Sequence, residues 1–151
     1  MKKLLLLFTL MIGMSVSAQF TEELETVKTE IGRSKGASIN HYIKGDSEQV
    51  LFFFRNLKYS SIIDLATIDL KDMDGIDALY NVVVKELSNT TGTIKTPQEK
   101  DLKLDNGNTL SIQTLKSAGI VQVQFWLWDG YKWEYSTFFT KKNIDKLFGK
   151  K

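Results

Sequence analysis

Residues 121–139 read VQVQFWLWDGYKWEYSTFF, with three tryptophans, two tyrosines and three phenylalanines in nineteen positions. Alternation on both sides of Asp129-Gly130 predicts a β-hairpin, and the loop length decides which side chains share a face, because a one-residue slip turns a whole strand over. A two-residue loop sets Trp128 opposite Tyr131 and Trp126 opposite Trp133. Its other face then places Phe125 against Glu134 and Leu127 against Lys132, neither cleanly buried nor cleanly wet. A three-residue loop, Trp128-Asp129-Gly130, lets the glycine take the left-handed position of a bulged turn at no steric cost. Leu127 then meets Tyr131, Phe125 meets Trp133, Val123 meets Tyr135 and Val121 meets Thr137, an apolar face. Trp126 with Lys132, Gln124 with Glu134 and Gln122 with Ser136 form a polar one. That contrast is expected of a sheet with one wet side and favours the three-residue loop, with Trp133 and Tyr135 in the core.

Working outward, Asp105-Asn106-Gly107 reads as a second loop of the same kind, with Leu102 opposite Leu110 and Lys103 opposite Thr109. Upstream, Ile76, Leu79, Tyr80, Val83 and Leu87 recur at helical spacing and predict a helix over 74–87, capped by Asp72 or Asp74. The runs QVLFFFRNLKY (49–59) and IIDLATIDL (62–70) are rich in β-branched and aromatic residues and read as a hairpin of two strands. Phe20, Leu24, Val27 and Ile31 predict a helix at the start of the mature chain, with Thr21 as its cap, followed by a polar connection from Gly32 to Glu48. A closing helix over 141–148 is capped by Thr140 and stopped by Gly149. The expected fold is α+β: one antiparallel sheet of about six strands, in the order α-β-β-α-β-β-β-β-α, with helices mainly on one face.

Lys2 and Lys3, the apolar run from Leu4 to Met14 and the small residues Val16-Ser17-Ala18 have the form of a bacterial secretory signal. Residues 1–18 are therefore expected to be removed, leaving 19–151 as a single periplasmic or secreted domain with no membrane anchor. The apolar run is shorter than the roughly twenty residues that span a bilayer. The chain has 20 basic and 18 acidic residues, and losing two lysines with the signal balances them at 18 each. A balanced surface lacks the single-signed field that draws nucleic acid. With no cysteine, an exported chain must be stabilised by its core.

Chemical motifs are sparse. GRSKG (32–36) matches the G-x-S-x-G pattern of a hydrolase elbow, which requires a strand before the serine and a helix after it. Here a helix is expected before Ser34 and a loop after it, so a glycine-flanked loop is the better reading, with His41 a loop residue. Asp69, Asp72, Asp74 and Asp77 around Gly75 fail the ligand spacing of a calcium loop and suit a helix start instead. The chain has no cysteine nucleophile, no pair of histidines for zinc, and no nucleotide-binding glycine motif. No catalytic residue, cofactor or metal is therefore expected. Glu134 and Asp64 are conceivable partners in a carboxylate-dependent hydrolase. What remains is Trp126 on the polar face and Trp128 at the turn, near Lys132, as candidate binding residues. Exposed tryptophans of this kind serve a protein or glycan partner. The function expected is a small exported, non-catalytic binding or interaction protein. The alternatives are the carboxylate hydrolase and a carrier of a small apolar ligand in a sheet cavity.

Overall fold

The structure is a computed structural model describing residues 24–59 and 61–150. Among the described residues, two four-stranded antiparallel sheets and two helices make an α+β architecture. The first sheet runs in chain order: β1 (Thr26–Ser34), β2 (Ala37–Lys44), β3 (Ser47–Arg55) and β4 (Leu65–Lys71). Helix α1 (Met73–Asn89) leads to the second sheet, β5 (Gln98–Lys103), β6 (Thr109–Ser117), β7 (Ile120–Trp128) and β8 (Trp133–Tyr135). Helix α2 (Lys141–Leu147) follows.

From β3 onward the element order is the one read from the sequence. Helix α1 buries Ile76, Leu79, Val83 and Leu87, and Asp72 caps it by accepting from the Gly75 amide at 2.9 Å. The Asp105-Asn106-Gly107 loop carries Gly107 at φ +86, and Leu102 faces Leu110 as expected. In α2, Asn143 Oδ1 accepts from the Thr140 amide at 3.2 Å, and Ile144, Leu147 and Phe148 are buried.

Four expectations are corrected. The single six-stranded sheet is instead two sheets of four. The helix expected over Phe20 to Ile31 is strand β1 from Thr26 onward, while Phe20 and Thr21 lie outside the described residues. Its apolar spacing misled because β1 is largely solvent-exposed and bulged between Glu30 and Gly32, so it lacks the alternation of a half-buried strand. The polar connection expected from Gly32 to Glu48 instead holds the end of β1, a two-residue turn, all of β2, a second two-residue turn and the start of β3. Lys35 and Gly36 both have positive φ, +45 and +75, the requirement of a type I′ hairpin turn.

The fourth correction concerns the aromatic hairpin. Trp128 faces Trp133, Leu127 faces Glu134 and Trp126 faces Tyr135, so the loop is four residues long, Asp129 to Lys132. Strand β7 is oriented as expected, with Val123, Phe125 and Leu127 buried. Strand β8 is turned over: Trp133 is 38% exposed and Tyr135 half-buried, while Glu134 points inward. The physical reason lies in the polar groups. Asp129 Oδ1 accepts from the amides of both Tyr131 and Lys132, each at 2.9 Å, closing a longer turn than the glycine alone would dictate. Inward Glu134 is tolerated because Lys132 Nζ lies 2.7 Å from its Oε1.

Both sheets and both helices contribute to one hydrophobic cluster. Phe52 of β3 meets Phe125 of β7 edge-on at 5.1 Å and also touches Phe54 and Phe148, at 5.6 and 6.3 Å. A second junction is polar. The segment between β3 and β4 lies along β8, where the Leu57 amide donates to the Tyr135 carbonyl at 2.9 Å and buried Asn56 accepts from the Tyr135 amide at 3.3 Å.

Candidate binding face

Side chains on β7 and β8 that point away from the core form a ladder of four rings. Trp126 stacks on Tyr135 with centroids 4.7 Å apart and planes 24° from parallel. Trp128 packs against Trp133 at 5.3 Å, and Trp126 meets Trp133 diagonally at 6.2 Å, nearly edge to face. Each direct pair is a cross-strand neighbour, the placement at which rings on a twisted sheet touch. Trp126 Nε1 donates to Gln124 Oε1 at 2.8 Å, and Gln124 Nε2 donates to the Ser136 carbonyl at 2.7 Å, fixing the indole against β7. The rows continue across the same face to Ser111 and Asp101 beside Trp126, and to Thr109 and Lys103 beside Trp128.

Trp126 and Trp128 are both half-buried in this ladder. Lys132, expected opposite Trp126, instead occupies the turn. Its ammonium pairs with Glu134 and lies 3.8 Å from Asp64 Oδ2, and the hydrogen bond it donates to Glu134 raises its pKa above that of an ordinary lysine. Trp133 and Tyr135, assigned to the core on sequence alone, complete the aromatic face. The two-residue loop carried the signal for them, since it shares its facing with the observed four-residue one.

Glu134 and Asp64 do converge, but on the ammonium of Lys132, and Asp64 Oδ2 also accepts from Asn56 Nδ2 at 2.9 Å. This network ties the β3–β4 segment to β8. Ser34 is buried at the end of β1 and runs through a tight turn into β2, so a strand precedes it but no helix follows. His41 lies in β2, its Nε2 3.1 Å from Glu48 Oε1. The aspartates near Gly75 have separate tasks: Asp69 accepts from Gln49 and from the Lys71 amide, Asp72 caps α1, and Asp77 pairs with Lys150. Among the described residues no group of three or more histidines, cysteines or acids is placed to hold a metal ion.

An open groove of about 680 Å3 separates the end of β4 from β5, with Leu79 and Val82 of α1, Leu70, Leu102, Leu104 and Leu110 among its apolar walls. An ion pair between Lys71 and Asp105 joins its two sides, and the hydrogen bond the ammonium donates to Asp105 raises the lysine pKa.

The turn that sets the ring pairing is itself sensitive to acid. The amides of Lys132 and Tyr131 hold the Asp129 carboxylate below its usual pKa. A depressed folded-state pKa contributes stability that is present above the ordinary aspartate range and is lost as pH falls through the depressed value. Asp129→Asn keeps an oxygen for the same two amides but cannot ionise. The wild type is expected to exceed this variant in stability at neutral pH, and the difference should vanish in acid. Urea melts over a pH series measure it; a pH-independent difference would contradict the assigned role.

No family model matches the chain, and no curated protein and no solved structure shows significant similarity to it.

Proposed function

We propose that the protein is a small exported, non-catalytic interaction protein that engages a protein partner through the aromatic outer face of its second sheet. One observation carries this reading: four large rings, from Trp126, Trp128, Trp133 and Tyr135, line the side of β7–β8 that faces away from the core. Cross-strand ring contacts are worth about 0.5–1.5 kcal/mol each to the hairpin, but a contiguous apolar surface in water is the mark of an interaction site. The stacking favours a protein over a glycan. A sugar ring needs an open aromatic face, and Trp126 and Tyr135 already stack against each other. Tryptophan and tyrosine edges on the same face as the exposed Asp101 and Lys103 offer the mixture of anchors and polar rim found at protein interfaces.

Affinity capture from the native periplasm or medium, with wild type beside a Trp128→Ala/Trp133→Ala variant, tests this. A discrete protein retained by the wild type should bind the folded variant at least about tenfold more weakly, as expected for loss of interface anchors. Equal retention by both would remove the aromatic face from the interaction.

A further inference from the structure

The edge of a β-sheet presents unpaired amides and carbonyls that another strand can take, so an edge needs cover or protection. The outer edge of β8 is taken by the segment carrying Asn56 and Leu57, and β5 is charged at four of its six positions, Glu99, Lys100, Asp101 and Lys103. Strand β1 differs from both. Among the described residues no strand lies along its outer side, and Thr26 to Glu30 are all exposed. Two-residue turns at Lys35-Gly36 and Gly45-Asp46 make Ser34 with Ala37, and Lys44 with Ser47, the hydrogen-bonded pairs that close the two hairpins. Alternation along β2 then turns the backbone groups of His41 and Ile43 toward β1, and those of Asn40, Tyr42 and Lys44 toward β3. Thr29 and Val27, opposite His41 and Ile43, bond to β2. Thr26, Lys28 and Glu30, opposite Lys44, Tyr42 and Asn40, therefore point their amides and carbonyls outward.

We propose that β1 pairs antiparallel with β1 of a second copy of this chain, centred on Thr29, and so joins two first sheets into one continuous sheet. The sequence about that centre is self-complementary: with Thr29 facing its own copy, Lys28 meets Glu30 of the second copy and Val27 meets Ile31 of the second copy. Lys28 and Glu30 both direct their backbone groups outward, so each of the two symmetric Lys28–Glu30 pairs exchanges two backbone hydrogen bonds. Centring the pairing one residue either way would set Lys28 against Lys28 or Glu30 against Glu30, which like charges oppose. Charge thus selects the register that backbone direction permits. Glu30 holds Arg33 through Oε2 alone, at 2.6 and 3.0 Å, which leaves Oε1 for the incoming ammonium. On the opposite face Val27, 54% exposed beside its cross-strand neighbour Ile43 at 41%, gains apolar cover from Ile31 of the second copy. The contact is isologous and closes at two copies, because the twofold axis uses the β1 edge of each. The dimer carries two aromatic ladders, an addition to the function proposed above that does not depend on it.

Sedimentation velocity of the chain from Gln19 onward, over a concentration series, tests the proposal beside Lys28→Glu, Glu30→Lys and the double exchange Lys28→Glu/Glu30→Lys, each verified as folded by circular dichroism. Wild type should form a dimer that dissociates on dilution. Each single substitution should weaken the dimer at least about tenfold, because twofold symmetry sets like charges against each other at two cross-strand pairs. The double exchange should restore the dimer, since it returns opposite charges to both pairs, and a register that sets Lys28 against Lys28 predicts no such recovery. Monomer alone at concentrations up to about 1 mM overturns the proposal. Single variants that dimerise as well as wild type overturn it, as does a double variant no stronger than the singles. None of these outcomes involves the β7–β8 face, so failure here is distinct from failure of the proposed function.

Discussion

Phe52→Ala should lower the free energy of unfolding by about 3–5 kcal/mol, whereas Trp133→Ala should cost only about 1–2 kcal/mol. Phe52 is fully buried and touches rings from three other elements or positions: Phe54 on its own strand, Phe125 on the second sheet and Phe148 beyond α2. Removing it opens a cavity where the two sheets meet, and neighbours held by separate backbones can only partly collapse into the space. Trp133 loses two ring contacts, to Trp126 and Trp128, but part of its surface already faces water. Urea melts of both variants give the comparison. Equal losses would mean that the Trp133 ring belongs to the core and that β8 faces the other way.

Gly32→Ala is expected to be the second large effect, about 3 kcal/mol, at the upper end of ordinary overpacking penalties. A Cβ at Gly32 would lie 2.4 Å from the carbonyl oxygens of both Lys146 and Leu147. Those atoms belong to the last turn of α2 and cannot rotate aside as a side chain could. Either β1 moves away from α2 or the helix end unwinds. Because Ile144, Leu147 and Phe148 fill the core from α2, its displacement would also expose apolar surface. Hydrogen exchange should show the α2 amides losing protection ahead of those in β6 and β7. Unchanged exchange in α2, together with an unchanged melt, would contradict the close packing of β1 on the helix.

The same two regions show what a sequence can and cannot convey. Helix α1 was legible because Ile76, Leu79, Val83 and Leu87 repeat at its period and all four are buried. Strands β3 and β4 were legible from their β-branched and aromatic content, and the β5–β6 register from the Asp-Asn-Gly loop. Strand β1 was not, because an exposed, bulged edge strand carries no alternation, and a chance row of Leu24, Val27 and Ile31 outweighed its threonines. Gly32 gave no sign of its role, since the carbonyls it must accommodate come from residues more than a hundred positions away. The binding face was half legible. Trp126 and Trp128 were singled out, but Trp133 and Tyr135 were assigned inward on the assumption that Glu134 must be wet. Two features overturned that assumption: the local Lys132–Glu134 ion pair and the long-range hydrogen bonds between the β3–β4 segment and β8.

Ring-to-ring nuclear Overhauser effects across the β7–β8 hairpin measure the facing of these strands without any substitution. The structure requires cross-peaks between Trp126 and Tyr135, between Trp128 and Trp133, and between Phe125 and Phe52. Cross-peaks joining Phe125 to Trp133 and Val123 to Tyr135 would place those rings inside the protein, and no aromatic ladder would then stand on its outer face.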